Sequence, residues 1–264
     1  MSRARLTFAF VVALAAATAL AGGGESAATT PPRFRALVFS KVTNYYHDSI
    51  PAGVEAIRAL GERHNFDVVA SDDPAQFTDD TLRGFQVVVF NNTNSTPEKG
   101  ALLNADQRSA FQRYVRAGGG FAGIHSASGT ERDWEWYGRL VGAFFRSHPA
   151  IQQLTVKVED ETHPSTRSLP REWVRTEEPY DFLLNPRGRV HVLATYDPST
   201  YEGHLMGADH PISWCHRFDG GRSWYTGMGH AISAFKEEPL FLEHVRGGIE
   251  WAAGAAQGGC DAGR

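Results

Sequence analysis

The feature that most constrains the fold of this sequence is a glycine-rich turn followed by a short apolar run and a histidine. Residues 118–120 are three glycines at the end of a helical segment, and glycine lets the backbone leave a helix through conformations that other residues avoid. The apolar run 121–124 predicts a buried strand, and His125 and Ser126 follow it at once. This order predicts a strand, a sharp turn with a reactive side chain, and a helix, with an imidazole at the reactive position.

Short apolar segments alternate with amphipathic segments through the first half of the chain, and this alternation predicts the fold class. Strands are predicted at 34–40, 66–70, 85–90 and 121–124, with helices at 50–63 and 104–117. We therefore expect an α/β fold with a mostly parallel sheet and helices on both faces. The second half is antiparallel in character, with strands at 151–159 and 190–196, a hairpin at 211–228 and a last helix at 239–253.

The N-terminus has the pattern of a secretory signal peptide. Arg3 and Arg5 precede an apolar stretch at 6–20, which is too short and too alanine-rich for a permanent membrane span. Cleavage is predicted near Ala21, so that the protein is secreted or extracytoplasmic, and an uncleaved anchor is the alternative. Composition divides the chain into a signal peptide at 1–21, a disordered leader at 22–32, one globular domain at 33–254 and a disordered tail at 255–264.

Net charge and cysteine content narrow the classes of partner. The formal net charge of −4 and the lack of a Lys/Arg cluster argue against a nucleic-acid partner. Cys215 and Cys260 are the two cysteines of the chain. In an oxidising compartment they could form a disulfide, and two free thiols are the equally open alternative.

Histidines at predicted loops and strand ends are the candidate metal ligands. Five of the eleven histidines of the chain lie at such positions: His47, His125, His148, His210 and His230. Imidazole is the commonest metal ligand, and a set of histidines with a carboxylate from Glu177 or Glu178 would suit Zn²⁺ or another divalent metal. A His-Glu-x-x-His motif is absent, so the prediction depends on dispersed residues, and a structural role is the alternative for each. Four other histidines are predicted at the surface: His64, His163, His204 and His244.

The same positions supply the candidate catalytic groups. We expect His125 or His230 to act as general acid or base, with Glu177 or Glu178 as its partner. Adjacent residues on a strand point to opposite faces, so at most one of the two acids can face the crevice. The predicted substrate-binding residues are polar or aromatic side chains near these positions: Tyr46, Asn92, Ser126, Tyr180 and Trp214. Core packing is the stronger alternative for Trp214, and Ser126 lacks the Gly-x-Ser-x-Gly frame of a nucleophile.

Six ordered blocks of the sequence carry a family resemblance. They lie at 46–50, 118–127, 142–149, 177–180, 210–214 and 220–230. In these blocks the chain resembles the trehalose-utilisation (ThuA-like) family, whose fold is that of the class I glutamine amidotransferases. The resemblance implies a flavodoxin-like sheet and places His230 near the catalytic histidine of the amidotransferases.

The resemblance also implies a function. Amidotransferases have a cysteine at the turn where this sequence has His125, so glutamine hydrolysis through a thiolate is excluded. The family is associated with bacterial sugar catabolism, often beside oxidoreductases that make 3-keto sugars. We expect an exported enzyme, monomeric or homo-oligomeric, that acts on a carbohydrate such as a 3-keto-glycoside by isomerisation, elimination or hydrolysis. A non-catalytic sugar-binding or regulatory module on a retired amidotransferase scaffold is the alternative.

Overall fold

The computed structural model describes Met1 and residues 31–260. Within 31–260 the chain forms six α-helices, which are α1 Ile50–His64, α2 Asp79–Leu82, α3 Ala105–Arg116, α4 Glu135–Val141, α5 Ile232–Lys236 and α6 Pro239–Ala252. It also forms eleven strands, which are β1 Arg35–Phe39, β2 Asp67–Ser71, β3 Val87–Asn91, β4 Gly120–Ile124, β5 Phe145–Ser147, β6 Gln152–Val158, β7 Glu172–Glu177, β8 Asp181–Phe182, β9 His191–Tyr196, β10 His210–Phe218 and β11 Gly221–Thr226.

Nine of these strands form one mixed sheet in the order β2-β1-β3-β4-β11-β10-β9-β6-β7. The first five strands are parallel to one another, and the strands from β11 onwards pair antiparallel. The parallel half has the flavodoxin-like order 2-1-3-4-5, with β11 in the fifth position. The predicted α/β fold with an antiparallel extension is therefore confirmed.

The parallel strands are apolar because both faces of the sheet are covered. Every residue of β3 and β4 is buried. On β11 the neighbouring residues Ser223 and Trp224 point to opposite faces. Ser223 donates a hydrogen bond to the carbonyl of Leu140 in α4, whereas Trp224 packs against Gly248 of α6. Helices therefore cover both faces at this strand, as the alternating pattern predicts.

A disulfide joins the antiparallel half of the sheet to the chain that follows α6. Cys215 on β10 is bonded to Cys260, with Cα atoms 5.5 Å apart, and both residues are buried. Trp251 also donates a hydrogen bond from Nε1 to the carbonyl of Gly258, at 3.1 Å. Residues 255–260 are thus held against the domain, which corrects the predicted disordered tail over this range. Apart from Met1, Pro31 and Pro32, the predicted signal peptide and leader lie outside the described residues, as do residues 261–264.

In the part of the chain that the structure describes, none of the helices is long and apolar enough to cross a bilayer.

Candidate functional site

The C-terminal ends of the parallel strands meet at one edge of the sheet and carry a group of polar residues there. His47 lies in the loop after β1, Asn92 follows β3, His125 follows β4, and His230 lies in the loop after β11. Ligand sites of open parallel sheets form at this edge. The fold therefore brings together histidines that are far apart in the sequence.

His125 occupies a sharp turn with an uncommon backbone conformation. Its φ is +49°, in the left-handed region that residues other than glycine rarely adopt. It begins a 3₁₀ turn, His125–Gly129, and its side chain is buried. Nδ1 lies 2.7 Å from the carbonyl oxygen of Gly227, which can only accept a hydrogen bond. Nδ1 therefore carries the hydrogen, and Nε2 keeps its lone pair unless the ring is protonated.

Three side-chain atoms converge on one point beside this lone pair. His125 Nε2 lies 3.3 Å from Oε2 of Glu178, and His230 Nδ1 lies 3.0 Å from the same oxygen. The two ring nitrogens are 3.3 Å apart. With His47, these residues offer ligand atoms that all lie within 4.8 Å of one another. We call His47, His125, Glu178 and His230 the histidine–glutamate cluster.

A serine fixes the orientation of His47 in the cluster. Ser126 Oγ lies 3.0 Å from the carbonyl oxygen of Thr93 and 3.3 Å from Nδ1 of His47. The hydroxyl donates to the carbonyl, so its oxygen accepts the hydrogen on Nδ1, and the lone pair of His47 is on Nε2. Burial, reinforced by the charges of His125 and His230, lowers the pKa of His47 to about 3. His47 is therefore neutral in the folded protein at physiological pH.

The carboxylate of Glu178 is the anionic centre of the cluster. Burial would raise the pKa of Glu178, but hydrogen bonds with His125 and His230 outweigh burial and lower this pKa well below its usual range. The hydrogen bond with Glu178 in turn raises the pKa of His230. Without a bound cation, the cluster is thus stabilised by sharing a proton between imidazole and carboxylate.

The remaining predicted metal ligands lie outside the cluster. His148 contacts the other oxygen of Glu178, with 3.3 Å from Nδ1 to Oε1, and its side chain is 43% exposed at the rim. His210 is buried behind Tyr180, where its Nε2 lies 2.8 Å from the carbonyl oxygen of Tyr180 and its Nδ1 contacts Tyr201 Oη. This separation corrects the prediction of His210 as a metal ligand, because β10 carries it into the core beneath the site.

Two further predictions are corrected by burial. Trp214 is fully buried and donates from Nε1 to the carbonyl of Val141 at 2.8 Å, so it is a core residue and not a substrate contact. Glu177 faces away from the cluster, and its two carboxylate oxygens accept hydrogen bonds from the backbone amides of Gly229 and His230, at 3.1 and 3.2 Å. The prediction of Glu177 as a catalytic residue is therefore corrected: its carboxylate has a structural role.

The predicted substrate-binding residues have different environments. Tyr180 is buried and stacks on His125, with ring centroids 4.0 Å apart. Asn92 is buried in the scaffold, where its Nδ2 lies 3.2 Å from Ser49 Oγ. Tyr46 is 54% exposed. Sequence reasoning missed the carbonyls of Gly227 and Thr93, because groups that act through the backbone have no signature in residue type.

Two grooves reach the cluster from the surface. One has a volume of about 430 Å³ and is lined by Tyr45, His47 and Asp48. The other has a volume of about 460 Å³ and is lined by Trp173 and the acids Glu177, Glu178, Glu237 and Glu238. Ile151 and His230 line both grooves. His230 is therefore the ligand of the cluster that lines both grooves.

Comparisons with known proteins agree with this architecture. None of the curated proteins matches the sequence. A ThuA-like protein from Bacteroides uniformis has a similar structure, with a TM-score of 0.69, 23% identity, and coverage of 87% of this chain and 95% of the other. A ThuA-like protein from Parabacteroides merdae has a TM-score of 0.66 and 20% identity, with coverage of 87% of this chain and 93% of the other. A cytoplasmic protein from Salmonella typhimurium has a TM-score of 0.58 and 10% identity, with coverage of 82% of this chain and 98% of the other. At these identities the structural likeness shows the fold alone.

The sequence itself provides the assignment. A family model described as ThuA, trehalose utilisation, matches residues 35–252, which run from the first residue of β1 to the last residue of α6 and contain all nine strands of the sheet. The family resemblance of the six sequence blocks is therefore confirmed, and the chain belongs to the trehalose-utilisation (ThuA) family.

Proposed function

We propose that this protein is an exported, carbohydrate-active enzyme whose histidine–glutamate cluster binds a divalent metal ion, zinc by preference. The observation that carries the proposal is the geometry of His125. Its Nδ1 is committed to the carbonyl of Gly227, and its Nε2 lies 3.3 Å from an oxygen of Glu178. A lone pair and a carboxylate oxygen repel each other at this distance unless a proton or a cation lies between them.

The spacing of the donor atoms fits a tetrahedral metal ion. Bonds of about 2.0–2.1 Å to nitrogen and oxygen give a tetrahedron with edges of about 3.3 Å. The three distances among His125 Nε2, His230 Nδ1 and Glu178 Oε2 are 3.0, 3.3 and 3.3 Å. The hydrogen bonds of His125 to Gly227 and of His47 to Ser126 are of the kind that orient metal-binding imidazoles. Donor type, spacing and orientation therefore all support a zinc site.

The protein side chains around such an ion would divide the chemical work. A divalent ion that accepts the substrate in addition to the four residues of the cluster would polarise a carbonyl oxygen of the substrate. His148 is suited to transfer protons at the rim, because its Nδ1 lies near two acceptors, 2.9 Å from the Pro149 carbonyl oxygen and 3.3 Å from Glu178 Oε1. Nδ1 therefore carries the hydrogen and Nε2 has the free lone pair, as a general base requires. Tyr180 shields the inner face of His125 by stacking on it.

We propose a sugar with a carbonyl group, such as a keto-glycoside, as the substrate. Membership of the trehalose-utilisation family supports a carbohydrate. Tyr45 and Tyr46 are 58% and 54% exposed beside His47, and exposed aromatic rings suit stacking on sugar rings. Among the described residues that line the grooves, the single arginine is Arg175, which is buried and paired with Glu177. The grooves therefore favour an uncharged sugar over a phosphorylated one.

Export is supported by two independent features. Arg3, Arg5 and the apolar stretch 6–20 have the pattern of a signal peptide. The Cys215–Cys260 disulfide is typical of proteins that fold in oxidising compartments. With both cysteines in this bond and a histidine at the turn after β4, a cysteine-dependent glutaminase reaction is excluded.

Metal analysis of the purified protein tests the proposal. We expect close to one zinc ion per chain by inductively coupled plasma mass spectrometry, removed by a chelator and restored by zinc. His125→Ala should lose the metal and the turnover of keto-glycosides while it keeps the circular dichroism spectrum of the wild type. His64→Ala, at the end of α1 and outside the site, is the matched control and should keep both. A well-folded wild type that neither contains nor takes up a divalent metal would contradict the proposal.

A further inference from the structure

A carboxylate next to the cluster binds the backbone of two of the four segments that carry the ligands of the cluster. Glu177 is 2% exposed. Its Oε2 accepts a hydrogen bond from the Gly229 amide at 3.1 Å. Its Oε1 accepts from the amides of His230 at 3.2 Å and of Glu178 at 3.3 Å. The side chain thus connects the end of β7, directly before Glu178, to the loop after β11, which supplies His230.

A buried arginine holds this carboxylate in place. Arg175 Nη2 lies 2.8 Å from Oε2 of Glu177, with side chains that are 2% and 1% exposed. The guanidinium lies between two aromatic rings, 4.5 Å from the ring centroid of Trp173 and 4.8 Å from that of Phe241. A buried carboxylate needs a partner charge to remain ionised. Arg175 supplies that charge and limits the rotation of the Glu177 side chain.

The loop that carries His230 depends on such an anchor. It contains Gly227 and Gly229, and Gly229 has a φ of +109°, a conformation that is available at low cost only to glycine. A glycine-rich loop has many alternative conformations, whereas a metal ligand must be held to within about 0.5 Å of its position. The two hydrogen bonds that Glu177 accepts from the amides of Gly229 and His230 select one conformation of this loop.

We propose that Glu177 is the positioning residue for His230 and Glu178, with Arg175 as its counterion. The inference rests on the proposed metal function of the cluster for its effect on affinity, but the anchoring of the loop can be measured without metal. Glu177 is not a catalytic residue, because its oxygens are occupied by backbone amides and by Arg175.

Shortening the side chain tests the role while it keeps the charge that Arg175 needs. Glu177→Asp should pull the carboxylate away from the amides of Gly229 and His230. We expect its zinc affinity, measured by competition with a chromophoric chelator, to fall by about 10- to 100-fold, and the visible spectrum of the Co²⁺-loaded protein to change. Glu172→Asp, on the exposed side of the same strand, is the matched control and should behave as the wild type. Wild-type zinc affinity and an unchanged Co²⁺ spectrum in Glu177→Asp would overturn the proposal.

Amide hydrogen exchange of the metal-free proteins separates this proposal from the proposed metal function. The amides of Gly229 and His230 should exchange slowly in the wild type and in Glu172→Asp, and faster in Glu177→Asp. Equal exchange in all three proteins would show that Glu177 does not anchor the loop, whatever the metal analysis gives. If the wild type binds no zinc, the metal function fails, and the exchange rates alone decide the positioning role.

Discussion

The turn at His125 combines backbone strain with a fully determined side chain. A left-handed backbone at a residue other than glycine costs about 1–3 kcal/mol, and His125 has a φ of +49°. Its ring is fixed by the carbonyl of Gly227 on one side and by the ring of Tyr180 on another. Strain that surrounding contacts maintain in this way is typical of functional sites. These contacts therefore hold the His125 ring with its Nε2 atom beside Glu178 and His230. Core packing does not explain this conformation.

The hydroxyl of Ser126 should contribute to metal affinity without touching the metal. Ser126→Ala removes the acceptor for Nδ1 of His47, so the imidazole can rotate or change tautomer. We expect zinc affinity to fall by about 10- to 100-fold, measured by chelator competition. Ser109→Ala is the control, because the Ser109 hydroxyl donates to the carbonyl of Ala105 within α3, away from the cluster. Equal affinities of the two variants would contradict the assigned orientation of His47.

Position in the predicted strands is enough to identify part of the cluster. His47 and His125 follow strands that are predicted to be parallel, and parallel strands share the edge at which sites form. Residue type and position do not separate Glu177 from Glu178, because adjacent residues of an extended segment point to opposite faces and the sequence does not reveal which face meets the cluster. The surface positions predicted for His163 and His244 are wrong, because both side chains are completely buried. A buried histidine depends on local hydrogen-bond partners, and the sequence pattern does not reveal these partners.

At the level of elements, β11 determines how the site is assembled. This strand pairs with β10 as an antiparallel hairpin and with β4 as a parallel neighbour. Hydrophobic patterning and the Asp-Gly-Gly turn are sufficient to predict the hairpin. They do not predict the parallel contact with β4, since that pairing joins segments about 100 residues apart in the chain and depends on the packing of α6 across both strands.

The contact of α6 with β11 should be sensitive to a single methyl group. A Cβ atom at Gly248 would overlap the indole ring of Trp224. Because Trp224 is fully buried, we expect Gly248→Ala to lower the free energy of unfolding by about 1–3 kcal/mol, measured by urea denaturation. A methyl group at Gly188 would meet no atom within 4 Å, so Gly188→Ala is the control and should stay within about 0.5 kcal/mol of the wild type. Equal stability of both variants would show that the helix can shift to accept the methyl group.

On the scale of the whole molecule, buried histidines outside the site should make the protein sensitive to acid. Burial lowers the pKa of His163 to about 3 and the pKa values of His216 and His244 to about 4. Below about pH 6.5 the unfolded chain binds protons at these residues and the folded chain does not. Stability is therefore lost as the pH falls from about 6.5 towards 4, by about 1.4 kcal/mol per pH unit for each histidine.

Replacing one of these histidines tests the acid sensitivity. Nδ1 of His244 lies 2.8 Å from the carbonyl oxygen of Ser165, and an asparagine amide can donate the same hydrogen bond without titrating. Between pH 6 and 4.5, the free energy of unfolding of His244→Asn should depend less steeply on pH than that of the wild type. The difference in slope should correspond to about one bound proton. An unchanged slope in His244→Asn would mean that this residue is protonated in the folded state.

The order of segments along the chain also determines when the cluster can exist. His47 lies near the start of the domain, and His230 follows a strand that inserts between β4 and β10, so no short stretch of chain contains the four ligands. A chain that crosses a membrane unfolded cannot carry a metal ion in this site during translocation. If the proposed export and metal binding hold, the ion would be captured where folding is completed, and the supply of metals in that compartment, rather than in the cytoplasm, would determine which ion the site acquires.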